Sequence, residues 1–407
     1  MTKKEYDVVV WGASGFTGRL VAGYLLKQYG TGNELRWAMA GRNRMKLEQI
    51  RKELDNETIP IEIADSNDRE SLEKLVSKTE VICSTVGPYA KYGSLLVEIC
   101  VSQGTAYCDL TGEVQWIRRM IDQFHEKAQQ NKARIVHCCG FDSIPSDLGV
   151  FYLQQEARER YQQYCVEVKF RMKAAKGGFS GGTLASLDNV MAEAKQDKKV
   201  MEVLANPYGL NPDGDASGPD GRDLNKVAYD EDFKAWLAPF VMGPINTKVV
   251  RRSHALAGFP YGKEFRYDEA TLIGPGTGGK IKAGIMAGVM GGLTNPDSLL
   301  KKIATPLLPK PGEGPSKQQQ ENGFFAIALL GKLEDGTTIH AKVTGDRDPG
   351  YGATSKMLAE SAVCLAKDTL PETYGILTPS TAMGKALLTR LQTNAGVSFS
   401  IPERKSD

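Results

Sequence analysis

Histidine is scarce in this chain: four residues in 407, at His125, His137, His254 and His340, too scattered for a multi-histidine metal site. The seven cysteines form no C-x-x-C pair and no even framework, which excludes a disulfide scaffold and argues against structural zinc. No stretch approaches the ~20 apolar residues that span a bilayer; the longest, Ala283 to Leu293, is broken by glycines. Neither charge is in excess, with 51 Lys plus Arg against 49 Asp plus Glu, so no nucleic-acid footprint is expected. The N-terminus runs straight into Val8-Val9-Val10 without the apolar region of a signal peptide, and with the reduced cysteines this gives the expectation of a cytoplasmic protein.

What is present is ordinary globular composition, 41% hydrophobic and 25% charged, in a chain long enough for about two to three domains. The first ~110 residues alternate short apolar runs with helical periodicity, the signature of a parallel sheet flanked by helices, so the fold class expected is α/β. Tyr6 to Trp11, Leu35 to Ala40, Ile59 to Ala64 and Val81 to Val86 read as buried strands. Leu20, Val21, Tyr24 and Leu25 mark one face of the first helix, and Asn67 with Glu70 resembles a capping box for a later one. Gly93 to Cys100 and Glu113 to Ala128 read as further helices, and Arg134 to Cys138 as a strand leading into another helix whose first turn suits Ser143 and Pro145.

Between the first strand and helix lies Gly12-Ala13-Ser14-Gly15-Phe16-Thr17-Gly18. A glycine turn in that context lets a pyrophosphate reach backbone N–H groups at a helix N-terminus, so Gly12, Ser14, Gly15, Phe16, Thr17 and Gly18 are assigned to dinucleotide binding. The second strand ends Ala40-Gly41-Arg42-Asn43-Arg44, with no acid for a ribose 2′-hydroxyl; Arg42, beside Asn43, suits a 2′-phosphate, and the cofactor expected is NADP(H). Ligands of open α/β sheets lie outside the strands' carboxyl ends. That rule adds Thr85, Val86, Gly87 and Pro88 toward the nicotinamide and Asp65 toward the adenine, the last equally suited to capping the next helix.

Four blocks in register carry a resemblance: Gly12 to Arg19, Val86-Gly87-Pro88-Tyr89-Ala90-Lys91-Tyr92-Gly93, Tyr107-Cys108-Asp109-Leu110-Thr111-Gly112-Glu113, and Cys139-Gly140-Phe141-Asp142-Ser143-Ile144-Pro145-Ser146-Asp147. With Gly177 to Thr183 and Gly375 to Gly384 they resemble the saccharopine dehydrogenase-like oxidoreductases, in the branch of the trans-acting enoyl reductases and the eukaryotic saccharopine dehydrogenase-like proteins. The resemblance implies a Rossmann domain over 1–145, an α+β substrate or dimerisation domain with a mixed sheet over 146–348, and a helical segment, 349–407, returning to the first domain. Tyr164 to Met172, Phe324 to Leu330 and Thr338 to Thr344 read as strands of the second domain, and a helix stripe starts at Ser355. Asn206 to Lys226 and Pro306 to Asn322 read as long polar loops.

The enoyl reductase branch implies an NADPH-dependent oxidoreductase reducing the C=C bond of an unsaturated acyl or polyketide-type lipid intermediate. Polar groups expected at the nicotinamide end are Tyr89, Asp109 and Ser143, with Asp142 and Glu113 behind them; no metal is expected. Two other readings stand beside it: an amino-acid dehydrogenase working through an imine, and a cofactor-binding but non-catalytic lipid-associated protein. His137 reads as a core residue, Arg251-Arg252 as a solvated basic spot, and Ile281 to Leu293 as a segment buried in the second domain, with a membrane surface as its alternative. A homodimer is left open.

Overall fold

The computed structural model describes residues 4–177, 181–294, 298, 301, 303 and 314–402. Seven strands build a wholly parallel first sheet: β1 (Tyr6–Trp11), β2 (Trp37–Gly41), β3 (Ile61–Ile63), β4 (Thr79–Ser84), β5 (Ala106–Asp109) and β6 (Arg134–Val136), with β13 (Gly375–Leu377) at one edge. Their order, β13-β6-β5-β4-β1-β2-β3, reverses direction at β1 and β4, where a doubly wound sheet opens its ligand crevice. Every residue of β1 is buried, which is why that strand reads as a continuous apolar run rather than an alternating one.

The second sheet is mixed. It combines β7 (Glu167–Lys176), β8 (Ala228–Asp230), β9 (Ala235–Ala238), β10 (Arg266–Gly274), β11 (Phe324–Lys332), β12 (Thr338–Gly345) and β14 (Val397–Ser400) in the order β14-β12-β11-β7-β10-β9-β8. Only β7 and β10 pair in parallel. The alternating burial of β12 shows one face on the core and one in water. Chain segments cross between the halves: the helix Thr354–Lys367 packs against β1, β4 and β5, β13 joins the first sheet, and β14 joins the second.

Several local expectations change. The capping box at Asn67 and Glu70 does not form: the Asp65 carboxylate captures the Asn67 N–H at 2.9 Å, an Asx turn that moves the helix start to Arg69, with Asp68 at the cap. The fourth strand ends at Ser84, leaving 85–88 as loop. Arg251 and Arg252 are buried, not solvated. Arg251 Nε donates to Asp220 at 2.7 Å and its Nη2 to the Tyr267 carbonyl, while Arg252 donates to the Leu210 and Ile376 carbonyls, so both tie the helix Gly243–Leu256 to the 206–226 segment and to strands β10 and β13.

The segment 281–293 is helical but not buried. It lies within Gly276–Thr294, where Ala283 is enclosed while Ile281, Ile285, Met286 and Val289 are exposed. The first turns dock closely: Gly279 sits against the Gly274 carbonyl, leaving no space for a Cβ, and beside Trp236. Among the described residues no helix is long and apolar enough to cross a membrane. The 206–226 segment packs through Tyr208, Asp220 and Asp223, whereas 306–313 of the second long loop lies outside the described residues, ahead of a short helix, Lys317–Glu321.

Candidate cofactor and substrate site

The glycine turn closes on itself by a bond from the Gly15 N–H to the Gly12 carbonyl at 2.9 Å. Gly12 has φ +87°, and a Cβ there would come within 2.6 Å of Val86 Cγ2. A Cβ on Gly18 would come within 2.1 Å of the Gly12 carbonyl oxygen, so helix and turn can pack only with glycine at this position. The helix Phe16–Tyr29 has Gly15 at its cap and no side chain bonded there. Its first intrahelical bond is Arg19 N–H to the Gly15 carbonyl, which leaves the Phe16, Thr17 and Gly18 N–H groups unpartnered among the described residues, aimed as an anion requires. Ser14 stands beside Gly41, its Oγ 3.8 Å from where a Gly41 Cβ would be.

Arg42 follows β2, is exposed, and forms no ion pair among the described residues, free to meet a phosphate. Asn43 beside it accepts the Lys46 N–H at 3.0 Å and caps the next helix. Asp65 holds the Asn67 N–H while its own N–H goes to Ser71 Oγ. Thr85 fastens the two crevice strands together, its Oγ1 donating to the Trp11 carbonyl at 3.0 Å. Val86 and Gly87-Pro88, the latter a cis peptide, continue this loop past the end of β4. The cradle that Cβ atoms would fill, the free helix amides and the free guanidinium together fit a phosphorylated dinucleotide.

The three polar residues expected at the nicotinamide end fall into different settings. Tyr89 is buried, stacked on Trp116, and its hydroxyl donates to the Ser84 carbonyl; burial and the Asp109 charge push that hydroxyl well above its ordinary range. Asp109 is wholly buried at the end of β5, where its carboxylate takes the Thr111 N–H at 3.1 Å, the Cys138 N–H at 3.3 Å and His137 Nδ1 at 2.7 Å. Ser143 caps the helix Ile144–Tyr161 in backbone only, its buried Oγ without a partner among the described residues. Tyr89 and Asp109 thus hold the loop architecture, and Ser143 lies behind the surface.

Asp142 is less buried than these three. It follows β6 on a turn fixed by the Ser143 N–H to the Cys138 carbonyl, and its Oδ2 lies 3.9 Å from where a Gly112 Cβ would be, on the loop after β5. Only partly buried as a residue, it forms no hydrogen bond or ion pair among the described residues. Desolvation pushes its carboxyl up to about 7, so near neutral pH it carries an exchangeable proton. Thr354, far along the chain, supports this turn by accepting the Phe141 N–H at 3.0 Å, a contact no local pattern could have disclosed.

A cleft of about 620 Å³ runs along the outer side of the first helix, between Phe16, Arg19 and Tyr24 and the segments around Lys317, Arg347 and Lys356, and shares only Phe16 with the glycine turn. A smaller cavity of about 170 Å³ lies in the second half, with Asp147 at its wall. There Ser253 and Ser380 satisfy the Asp147 carboxyl, which burial pushes up to about 6.

A doubly wound parallel sheet with a tight glycine turn ahead of its first helix, taken with the matches that follow, gives the class: an NADP(H)-binding, NAD(P)-dependent oxidoreductase. The family model for the saccharopine dehydrogenase NADP binding domain matches residues 8–136. A Mycobacterium tuberculosis protein named as a trans-acting enoyl reductase is 40% identical over 422 residues, covering 98% of each chain, and a trans-acting enoyl reductase of Mycobacterium ulcerans is 36% identical over 421 residues, covering 97% of this chain and 98% of its own. In fold, the chain resembles the saccharopine dehydrogenase (L-Glu forming) of Saccharomyces cerevisiae, with a TM-score of 0.55 at 13% identity over 98% of this chain and 100% of the other. The chain belongs to the saccharopine dehydrogenase-like oxidoreductases, in the branch of the trans-acting enoyl reductases.

Proposed function

We propose that this protein reduces the C=C bond of an α,β-unsaturated acyl thioester, with Asp142 returning the proton. The observation that carries the reading is a partly buried carboxyl, unpartnered among the described residues, on the turn after β6 and beside the loop after β5, which desolvation pushes up to about 7. Bound NADPH supplies a hydride to the β-carbon of the acceptor. The Asp142 O–H bond breaks as a C–H bond forms at the α-carbon, and water at the open side of the residue restores the proton. Tyr89, Asp109 and His137 keep the flanking loops in place and exclude water behind them.

An acyl or lipid-like substrate belongs to the same proposal. It is supported by the names of the enoyl reductase relatives and by the exposed Ile281, Ile285, Met286 and Val289 beside Lys280 and Lys282, an apolar surface with basic neighbours. An amino-acid dehydrogenase would need arginines free to gather several carboxylates, whereas Arg251 and Arg252 are committed to protein partners. The test is NADPH oxidation against a panel of enoyl thioesters and of keto acid plus amino acid pairs. Turnover with thioesters alone is expected; turnover with the keto acid pairs alone overturns the proposal.

A further inference from the structure

Glu113 joins two parts of the molecule that lie far apart in sequence. Its Oε1 accepts the Tyr89 N–H at 2.8 Å and the Ser186 hydroxyl at 2.9 Å, and its Oε2 accepts the Ala90 N–H at 3.0 Å. Tyr89 and Ala90 open the short helix just after the cis Gly87-Pro88 peptide, so one carboxylate fixes where the crevice loop turns. Ser186 belongs to the helix Gly181–Gln196, which follows β7 of the second sheet. Its hydroxyl lies 3.6 Å from where a Gly87 Cβ would be, directly over the loop assigned to the nicotinamide end.

The rest of this helix is tethered from the same direction. Arg119, six residues beyond Glu113, donates to Glu193 at 2.8 Å, and Asn189 holds the same carboxylate at 2.6 Å. Residues 178–180, before the helix, lie outside the described residues. Burial pushes the Glu113 carboxyl up while its three donors pull it down. A group spent entirely on capping the 89–92 turn would not also need the Ser186 hydroxyl.

We propose that Glu113 is a positioning residue that fastens the 181–196 helix over the Gly87–Tyr89 loop, so that the helix forms the roof under which the acyl acceptor is held. The proposal rests on the oxidoreductase reading for its substrate, but the contact itself does not. Full-length Ser186→Ala, Ser186→Thr and Glu113→Gln are compared with the unaltered chain in the presence of NADPH, by amide hydrogen exchange of 181–196 and by steady-state kinetics with an enoyl thioester. Ser186→Ala leaves both backbone caps intact. It is expected to speed exchange in the helix about 10-fold or more and to raise KM for the thioester about 10-fold, with NADPH affinity within about 2-fold.

Ser186→Thr, which retains the hydroxyl, restores both values. Glu113→Gln, which keeps one acceptor oxygen but sets an amide NH2 against at least one of the three donors, also speeds exchange in the helix. Unchanged exchange in both Ser186→Ala and Glu113→Gln overturns the latch. So does a rise in KM that Ser186→Thr fails to reverse, because the effect would then follow size rather than the hydrogen bond. If the unaltered chain turns over no thioester, the enoyl reductase reading fails while the exchange result still decides the latch.

Discussion

His137 Nδ1 lies 2.7 Å from Asp109 Oδ2, and both side chains are withdrawn from water at the carboxyl ends of adjacent parallel strands. The same carboxylate takes two backbone N–H groups, from Thr111 and Cys138, so one aspartate fastens the loop after β5 to the segment after β6. This joinery gives Asp109 a structural role within the motif Tyr107 to Glu113.

Asp109→Ala leaves two buried N–H donors and an imidazole unsatisfied and is expected to cost about 3 kcal/mol or more of stability. Urea denaturation of the two proteins measures it. A loss of activity with stability unchanged would instead put Asp109 in the chemistry.

Gly18→Ala forces a methyl group into the Gly12 carbonyl. NADPH affinity is expected to fall about 100-fold, roughly 2.7 kcal/mol, because helix and turn must separate before the pyrophosphate can reach the amides. Titration calorimetry checks this, and near-normal affinity would mean that the phosphate is held elsewhere.

Arg42→Ala removes the exposed guanidinium after β2. NADPH binding is expected to weaken about 10 to 100-fold, the worth of a charge-assisted pair, while NADH binding barely changes. Equal losses for both cofactors would remove Arg42 from the 2′-phosphate.

Asp142→Asn is expected to lower kcat about 100-fold or more, and in the unaltered chain kcat should decline as pH rises through about 7, where the acid form is lost. A kcat profile flat from pH 6 to 9 would assign the proton to another donor.

Stability gives an independent check on the same residue. Burial raises its folded pKa from the ordinary 3.8 to about 7, so its contribution is fully present below about pH 4 and is lost as pH climbs through 7. Asp142→Asn should therefore stabilise the fold at pH 8, by about 1 kcal/mol after allowing for the carboxyl's partial exposure, and have little effect at pH 4. Thermal melts at the two pH values compare them; equal shifts at both would show that the carboxyl is not desolvated.

The sequence alone determined the parallel sheet and the glycine turn after its first strand, because these depend on local pattern: buried strands read as apolar runs, and a tight turn against a helix demands glycine at Gly12 and Gly18. Tertiary structure decided what partners each polar group finds. Arg251 and Arg252 look like a surface pair until the backbone carbonyls of Tyr267, Leu210 and Ile376 converge on them. The apolar run 281–293 could not say that Ala283 would be enclosed while Ile281, Ile285, Met286 and Val289 face outward. Nor could any local pattern bring Ser186 to Glu113 or Thr354 to Phe141, since those contacts exist only once the helices Gly181–Gln196 and Thr354–Lys367 have packed against the loops after the first sheet's strands. Local conformation is set by neighbours along the chain, whereas a buried charge or hydroxyl is given its role by whatever donor or acceptor folding places beside it.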